Sequence, residues 1–323
     1  VTTVRSVGDP GYADIQVRDQ IKSDKFQGPR LIASGCGITV PEGHARLFAK
    51  KATTPEEGRA LVHEHFSNGA DQIKLFITGG VFDAEVEGEP GVLRMPLDIA
   101  QAVCDEAHKL GLRTSAHIES TEGVEVGLKA GVDTIEHGAP LTDELLKLFK
   151  KNGLGNASSL TCTLSPALPF AVLSPEKTHS THVQKVNGRV VYEGVATATR
   201  QALANGISVG LGTDSACPFV THYDMWREVV YFQRHTGVTP EFALHTATLK
   251  NAQLLGVANE TGSIETGKSA DFIVLEANPL DDLCALRNVE QVYMAGKPVK
   301  YKAKHLPKID AELDGIMDGL DND

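Results

Sequence analysis

"PLDIAQAVCDEAHKLGLRTSAHI", residues 96–118, changes period in its middle. Up to Gly111 the apolar residues recur at helical spacing, and the glycine closes the pattern as a C-terminal cap. "LGLR" then turns the chain into "RTSAHI" (113–118), a run whose apolar residues fit a strand. A helix followed at once by a buried strand is half of a β-α-β unit, and the rest of the chain repeats it. "VTTVRSV" (1–7), "RLIASG" (30–35), "QIKLFITGG" (72–80), "DTIEHG" (133–138), "GNASSLT" (155–161) and "SVGLGTD" (208–214) are further strand candidates. They are mostly apolar with polar or glycine-rich C-terminal ends, the pattern of parallel strands covered on both faces. "LTDELLKLFKKNG" and "ATATRQALANG" are helices ended by glycine, and "NGAD", "AGVD" and "NGIS" are helix-to-strand turns.

Seven such units precede residue 255 or so, whereas eight close a (β/α)8 TIM-type barrel of roughly 250 residues. The shortfall falls at the N-terminus, so the expectation is an α/β barrel whose first strand is absent from the sequence. A doubly wound sheet is disfavoured, because no G-x-G-x-x-G follows the first strand and polar residues gather at many strand ends. Beyond residue 260 the pattern becomes "TGSIETGKSADFIVLEANP" and "VEQVYMAGKPVKY", short antiparallel strands with glycine turns. The expected division is a barrel over 1–258, a small β-sandwich appendage over 259–305 and an acidic tail over 306–323. A barrel lacking one strand exposes two edges, so residues 1–323 alone are expected to be poorly soluble.

Composition narrows the class. The chain of 323 residues carries a formal net charge of −11, with 23% charged and 41% hydrophobic residues. That is an ordinary acidic globular protein, and it argues against nucleic acid as a partner, since phosphate neutralisation needs a basic patch. The five cysteines form no CxxC and are odd in number, which fits reduced thiols in the cytoplasm. No apolar run is long enough to span a membrane. The partner expected is a small molecule, and a homo-oligomer stays open.

In a barrel, the C-terminal ends of strands face the active site. Lys74, His117, His137 and Asp214 each sit at or near such an end. Lys74 is a charge inside an apolar run, costly unless something uses it. Two imidazoles, a carboxylate and a lysine converging on one mouth suggest a metal site.

"KLFITGG", "AHIESTEGV…AGVDTIEHG", "LGTD" and "TGSIETGKSADFIVL" resemble the amidohydrolase superfamily, in its prolidase-like and imidazolonepropionase-like branch. The resemblance covers essentially the whole chain. It implies a metal-dependent hydrolase of carbon–nitrogen bonds, with two divalent ions, usually zinc, bridged by a carboxylated lysine. Carried onto this sequence, it makes Lys74 the carbamate bridge, His117 and His137 ligands of the second metal, and Asp214 both ligand and catalytic base. Burial lowers a lysine pKa, and the neutral amine can take up carbon dioxide. The implied substrate is a dipeptide or N-acyl amino acid. A cyclic amide, as in imidazolonepropionases, is the alternative. The family's first strand also carries a His-x-His pair, which this sequence lacks. On that ground a weak single-metal site, or a non-catalytic barrel remnant, is a further reading. A metal-free barrel with a Schiff-base lysine would leave His117, His137 and Asp214 without a role.

The one "HEH", His63-Glu64-His65, lies in a helical stretch. Residues two apart on a helix point about 200° apart, so this pair is rejected as a chelate. His44 in "VPEGHARLF" resembles a loop lining the family's pocket and is a candidate for substrate contact, with a plain surface histidine as the alternative. His182, with His179, opens a helix and is a second candidate. Glu119 follows His117 by two and points the same way on a strand, so it is a third. Gly79 and Gly80 let the backbone turn closely beside Lys74. Tyr231 and Arg234 are expected on the outer surface of a helix, and Cys217 in packing.

Overall fold

The computed structural model describes residues 1–149, 157–300 and 303–320. Gly155 and Asn156 of the strand candidate 155–161, residues 150–153 of the preceding helical stretch and the last three residues of the acidic tail lie outside these.

The strands are β1 (Thr3–Arg5), β2 (Arg30–Ile32), β3 (Ile38–Thr39), β4 (Lys50–Lys51), β5 (Gln72–Phe76), β6 (Arg113–Ile118), β7 (Thr134–His137), β8 (Ser159–Cys162), β9 (Val209–Leu211), β10 (Phe272–Leu275), β11 (Val289–Met294) and β12 (Lys297–Pro298). Seven of them form one sheet in the order β4-β3-β5-β6-β7-β8-β9, while β1 pairs with β2 in parallel. The registered pairs from β3 to β8 are all parallel. This is a parallel α/β fold of TIM-barrel type. The very short β3 and β4 are not visible as strands in the sequence, because two residues carry no periodicity.

The chain divides into two compact units. The first comprises residues 1–84, 89–161 and 197–209. Its centre is the apolar content of the strands: Ile73, Leu75, Ile118, Ile135 and Leu160 are fully buried. Each such side chain contributes about 2 kcal/mol of burial. The helix Leu97–Lys109 turns its apolar stripe, Ile99, Val103, Cys104 and Ala107, inward. Register is set by Asp133, whose carboxylate accepts from Thr114 N (2.7 Å), Thr114 Oγ1 (3.0 Å) and His108 Nε2 (2.9 Å). One carboxylate thus ties that helix to β6 and to the turn that opens β7, and any slip would bury it unpaired.

The second unit comprises residues 85–88, 162–196 and 210–323. It contains β10, β11 and β12 as a three-stranded antiparallel sheet. It also holds the long helix His182–Ala204 in part, the helix Met225–Thr236 and the C-terminal helix Pro307–Leu320. The C-terminal helix is pinned to its neighbours by Arg227 and Arg287 on Asp314, 2.6 and 2.8 Å, and by Tyr223 on Asp310, 2.9 Å. The thiols of Cys36, Cys104 and Cys162 are buried and no disulfide joins any of the five cysteines. Among the described residues no helix is long and apolar enough to cross a membrane.

Candidate metal centre

Three neighbouring strands of the first unit, β5, β6 and β7, bring polar residues together. Lys74 sits in mid-β5 and is 2% exposed. Its ammonium nitrogen lies 5.2 Å from the centre of the Phe76 ring, which covers one side of it. In register, Phe76 stands beside His117 on β6, and His117 beside Glu136 on β7. Since side chains alternate along a strand, Lys74 and Phe76 present one face together.

His117, Glu119 and His137 form a donor group whose ligand atoms all lie within 4.8 Å of one another. The imidazoles of His117 and His137 meet edge to face, centroids 4.8 Å apart. His117 donates through Nε2 to the Gly79 carbonyl at 3.0 Å. A carbonyl only accepts, so the proton belongs on Nε2, and Nδ1 keeps its lone pair. Burial holds the His117 pKa well below the usual imidazole value, and the charges of His44, His137 and Lys74 add to the effect. The ring is therefore neutral, the form that ligates a metal. Two imidazoles and a carboxylate, largely buried and convergent, are a donor set that could hold a divalent metal ion.

Gly80 explains how the group is packed so closely. A Cβ there would lie 3.0 Å from His44 Cε1, 3.2 Å from His117 Nε2 and 3.3 Å from Glu119 Oε2. Gly79 donates to Val92 O and Gly80 to the Asp83 carboxylate, both at 2.8 Å. The glycine pair thus makes room beside His44, His117 and Glu119 rather than merely turning the chain. His44 stacks on His117, and its Nδ1 lies 2.8 Å from Asp83 Oδ1. Burial alone would raise the Asp83 pKa, but His44 and the surrounding backbone donors outweigh it and hold the carboxyl below its ordinary value.

His137 has φ = 69° and, in the second unit, Asp214 has φ = 55°. Non-glycine residues rarely adopt this left-handed region, and it costs of order 1 kcal/mol or more. Two of the residues proposed from the sequence therefore carry local backbone strain, as do eight other non-glycine residues among those described.

Beneath the strand ends lies a pair that the sequence reading missed. Arg5 on β1 reaches Glu136 at 2.7 Å and Thr134 Oγ1 at 2.9 Å. Burial would raise the Glu136 pKa, but Arg5, then Lys74, pull it below the ordinary value. The only signal available was a glutamate and an arginine at alternating positions of apolar strands. Asp83 had no signal, since it lies in an irregular loop.

The remaining candidates belong to the second unit. Asp214 is half-buried three residues past the end of β9, and its Oδ2 accepts from Cys217 Sγ at 3.3 Å. His182 is largely exposed, with Nε2 3.5 Å from Glu87 Oε1. Tyr231 corrects one expectation: it is 2% exposed, not on the outer surface, because Arg227, Asp224 and the C-terminal helix cover that side of its helix. Arg234 is partly buried and donates to the Met317 carbonyl at 3.0 Å. The "HEH" pair diverges as a helix requires: exposed His63 meets Glu106 at 2.9 Å, while buried His65 donates through Nδ1 to the Leu61 carbonyl at 2.8 Å.

The profile of the amidohydrolase family matches residues 1–299. A solved structure of a candidate prolidase from Bifidobacterium longum is 44% identical, with a TM-score of 0.91 over 98% of this chain and 77% of that one. A Xaa-Pro dipeptidase, solved with methionine bound in its active site, is 31% identical with a TM-score of 0.80, over 93% of this chain and 75% of that one. The ochratoxinase of Aspergillus niger is 25% identical over 319 residues, covering 90% of this chain. The chain spans 64% of the length of that ochratoxinase.

Proposed function

The chain belongs to the amidohydrolase family, and from that premise we propose that it is a metal-dependent hydrolase of the amide bond in a dipeptide or N-acyl amino acid. The largely buried, convergent His117–Glu119–His137 group carries the reading. Likeness to a candidate prolidase and to a Xaa-Pro dipeptidase supports the choice of acyclic substrate.

Lys74, His117 and His137 would hold the metal, with Lys74 as a carbamate, and Glu119 would add a carboxylate beside the imidazoles. When bound, a divalent ion, zinc in this reading, supplies Lewis-acid polarisation and lowers the pKa of water. The protein residues do the rest. His117 presents a neutral nitrogen because burial keeps it unprotonated and the Gly79 carbonyl fixes its tautomer. The resemblance gives Asp214 the role of base: it would take the proton of the attacking water and return it to the leaving nitrogen, so that a carboxylic acid and an amine depart. His44, tied through Nδ1 to Asp83, offers Nε2 to the substrate. The aromatic face of Phe76 shields the Lys74 side chain from water.

Metal analysis of the full-length protein, with turnover measured across dipeptides, N-acyl amino acids and cyclic amides, tests the proposal. Bound zinc-type metal and amino-acid release from acyclic substrates are expected. Cyclic amides as sole substrates would overturn the substrate class, and metal-free protein that turns over the same panel would overturn the mechanism.

A further inference from the structure

In the second unit, the end of the strand that leads to Asp214 is gripped by a side chain of a later helix. β9 ends at Leu211, and Asp214 follows three residues on with φ = 55°. Such a conformation persists only where the surrounding structure enforces it. Gly212 donates from its backbone N–H to the Cys162 carbonyl of β8 at 3.0 Å. The backbone groups of successive strand residues point to opposite sides, so the N–H and C=O of Leu211 face away from β8. Asn251 meets both. Leu211 N donates to Asn251 Oδ1 at 2.9 Å, and Asn251 Nδ2 donates to the Leu211 carbonyl at 2.9 Å. A carboxamide offers the same kinds of donor and acceptor as a peptide group. Asn251 therefore does for Leu211 what a residue of a neighbouring strand does.

Two features bring Asn251 there. The helix over residues 240–255 contains a π turn, Thr246–Lys250. Ahead of and at the start of that turn its inward side is marked by Ala243 and Thr246, 0% and 1% exposed. In an unbroken α-helix this stripe continues at Lys250, seven residues after Ala243 and four after Thr246. The wider π turn delays the stripe by a residue and delivers Asn251 in place of Lys250. On the strand, Gly210 makes room: a Cβ there would lie 2.7 Å from Asn251 Oδ1 and 2.9 Å from Leu254 Cδ1.

We infer that Asn251 is a positioning residue for the proposed reaction: its carboxamide fixes the end of β9 and with it the origin of the turn that presents Asp214. This rests on the base role given to Asp214 under the proposed function. One planar group makes both hydrogen bonds, so the last peptides of β9 can neither slide along the helix nor rotate without breaking one of them. A side chain that lacks the donor, or both groups, leaves that end of the strand free to shift.

The test uses the full-length protein and whichever acyclic or cyclic amide it turns over fastest. Asn251→Ala is expected to lower kcat about 10-fold, as misplacement of a reacting group does, with KM within about twofold of the parent. Asn251→Asp has the same size but, ionised at neutral pH, cannot donate to the Leu211 carbonyl. It is expected to lose as much kcat as Asn251→Ala, which a role in packing alone does not require. Urea unfolding and metal analysis of the same preparations express kcat per folded, metal-loaded molecule. Asp214→Asn, measured in parallel, is expected to be inactive. If Asp214→Asn keeps the parent's kcat, the base role falls and this inference with it. Beside an inactive Asp214→Asn, a parental kcat in Asn251→Asp overturns this inference alone. So do losses in the Asn251 variants that disappear after correction for the folded, metal-loaded fraction.

Discussion

His44 and His117 stack face to face, their ring centres 4.1 Å apart and their planes within 3°. Parallel stacking at this distance fixes both rings, and Asp83 sets the angle of the upper one by accepting at His44 Nδ1. His44 is thus held from two sides, by a carboxylate and by a residue of the donor group.

That arrangement makes Asp83 a positioning residue. Asp83→Ala is expected to lower kcat about 10-fold or more, the usual cost of losing a group that orients a site imidazole. Metal content should stay unchanged, because Asp83 is not in the donor group. Steady-state kinetics and metal analysis on one preparation check both halves. A drop in metal content parallel to the activity would assign Asp83 to the metal site itself.

Gly80→Ala tests the closeness of the packing. The added methyl meets three site residues at 3.0–3.3 Å, and the imidazoles must give by a few tenths of an ångström. Activity should fall about 10-fold or more, since small misplacements of reacting groups are costly. Chemical denaturation should show little change. A large loss of stability with unchanged specific activity would refute the account.

Removing a proposed ligand should remove metal. His117→Ala and His137→Ala are each expected to weaken metal binding by at least about 100-fold, beyond what loss of an outer partner costs. His63→Ala should leave it unchanged, because His63 forms an exposed pair with Glu106. Titration with a chromogenic chelator distinguishes the variants.

The Arg5–Glu136 pair predicts a stability effect apart from chemistry. Glu136→Ala leaves a largely buried guanidinium without its carboxylate and should cost about 3 kcal/mol. The double variant Arg5→Met with Glu136→Leu should recover much of this, because neither charge then remains buried. Urea unfolding of the three proteins measures it.

Glu228 gives a pH signature. It is fully buried and accepts from Leu164 N at 2.7 Å and from Ser165 N at 2.8 Å, and also from the Ser165 hydroxyl. Burial raises its pKa from 4.5 to about 7, despite those donors. The unfolded chain therefore loses this proton near pH 4.5, while the folded protein keeps it until about pH 7. Its contribution to stability is complete below pH 4.5 and is lost progressively up to about pH 7. The loss amounts to about 3 kcal/mol. Glu228→Gln should flatten that part of the pH–stability curve. A parallel curve for the variant would show that Glu228 ionises normally.

The residues' own chemistry determined how the chain divides into parallel strands and helices. Continuous apolar runs such as "IKLFI" and helical stripes such as that of residues 97–109 are local signals, and strand direction follows from the helices between them. The same local signals placed Lys74, His117 and His137 on strands, and they excluded His63 and His65 as a chelate. Other features required the folded chain. Asp83 meets His44 across 39 residues and Arg5 meets Glu136 across 131, and no periodicity encodes a contact at such separations. Nor does sequence distinguish the solvent-facing side of a helix from one that another helix covers. Tyr231 therefore lies in the interior, where the C-terminal helix Pro307–Leu320 packs against its neighbours.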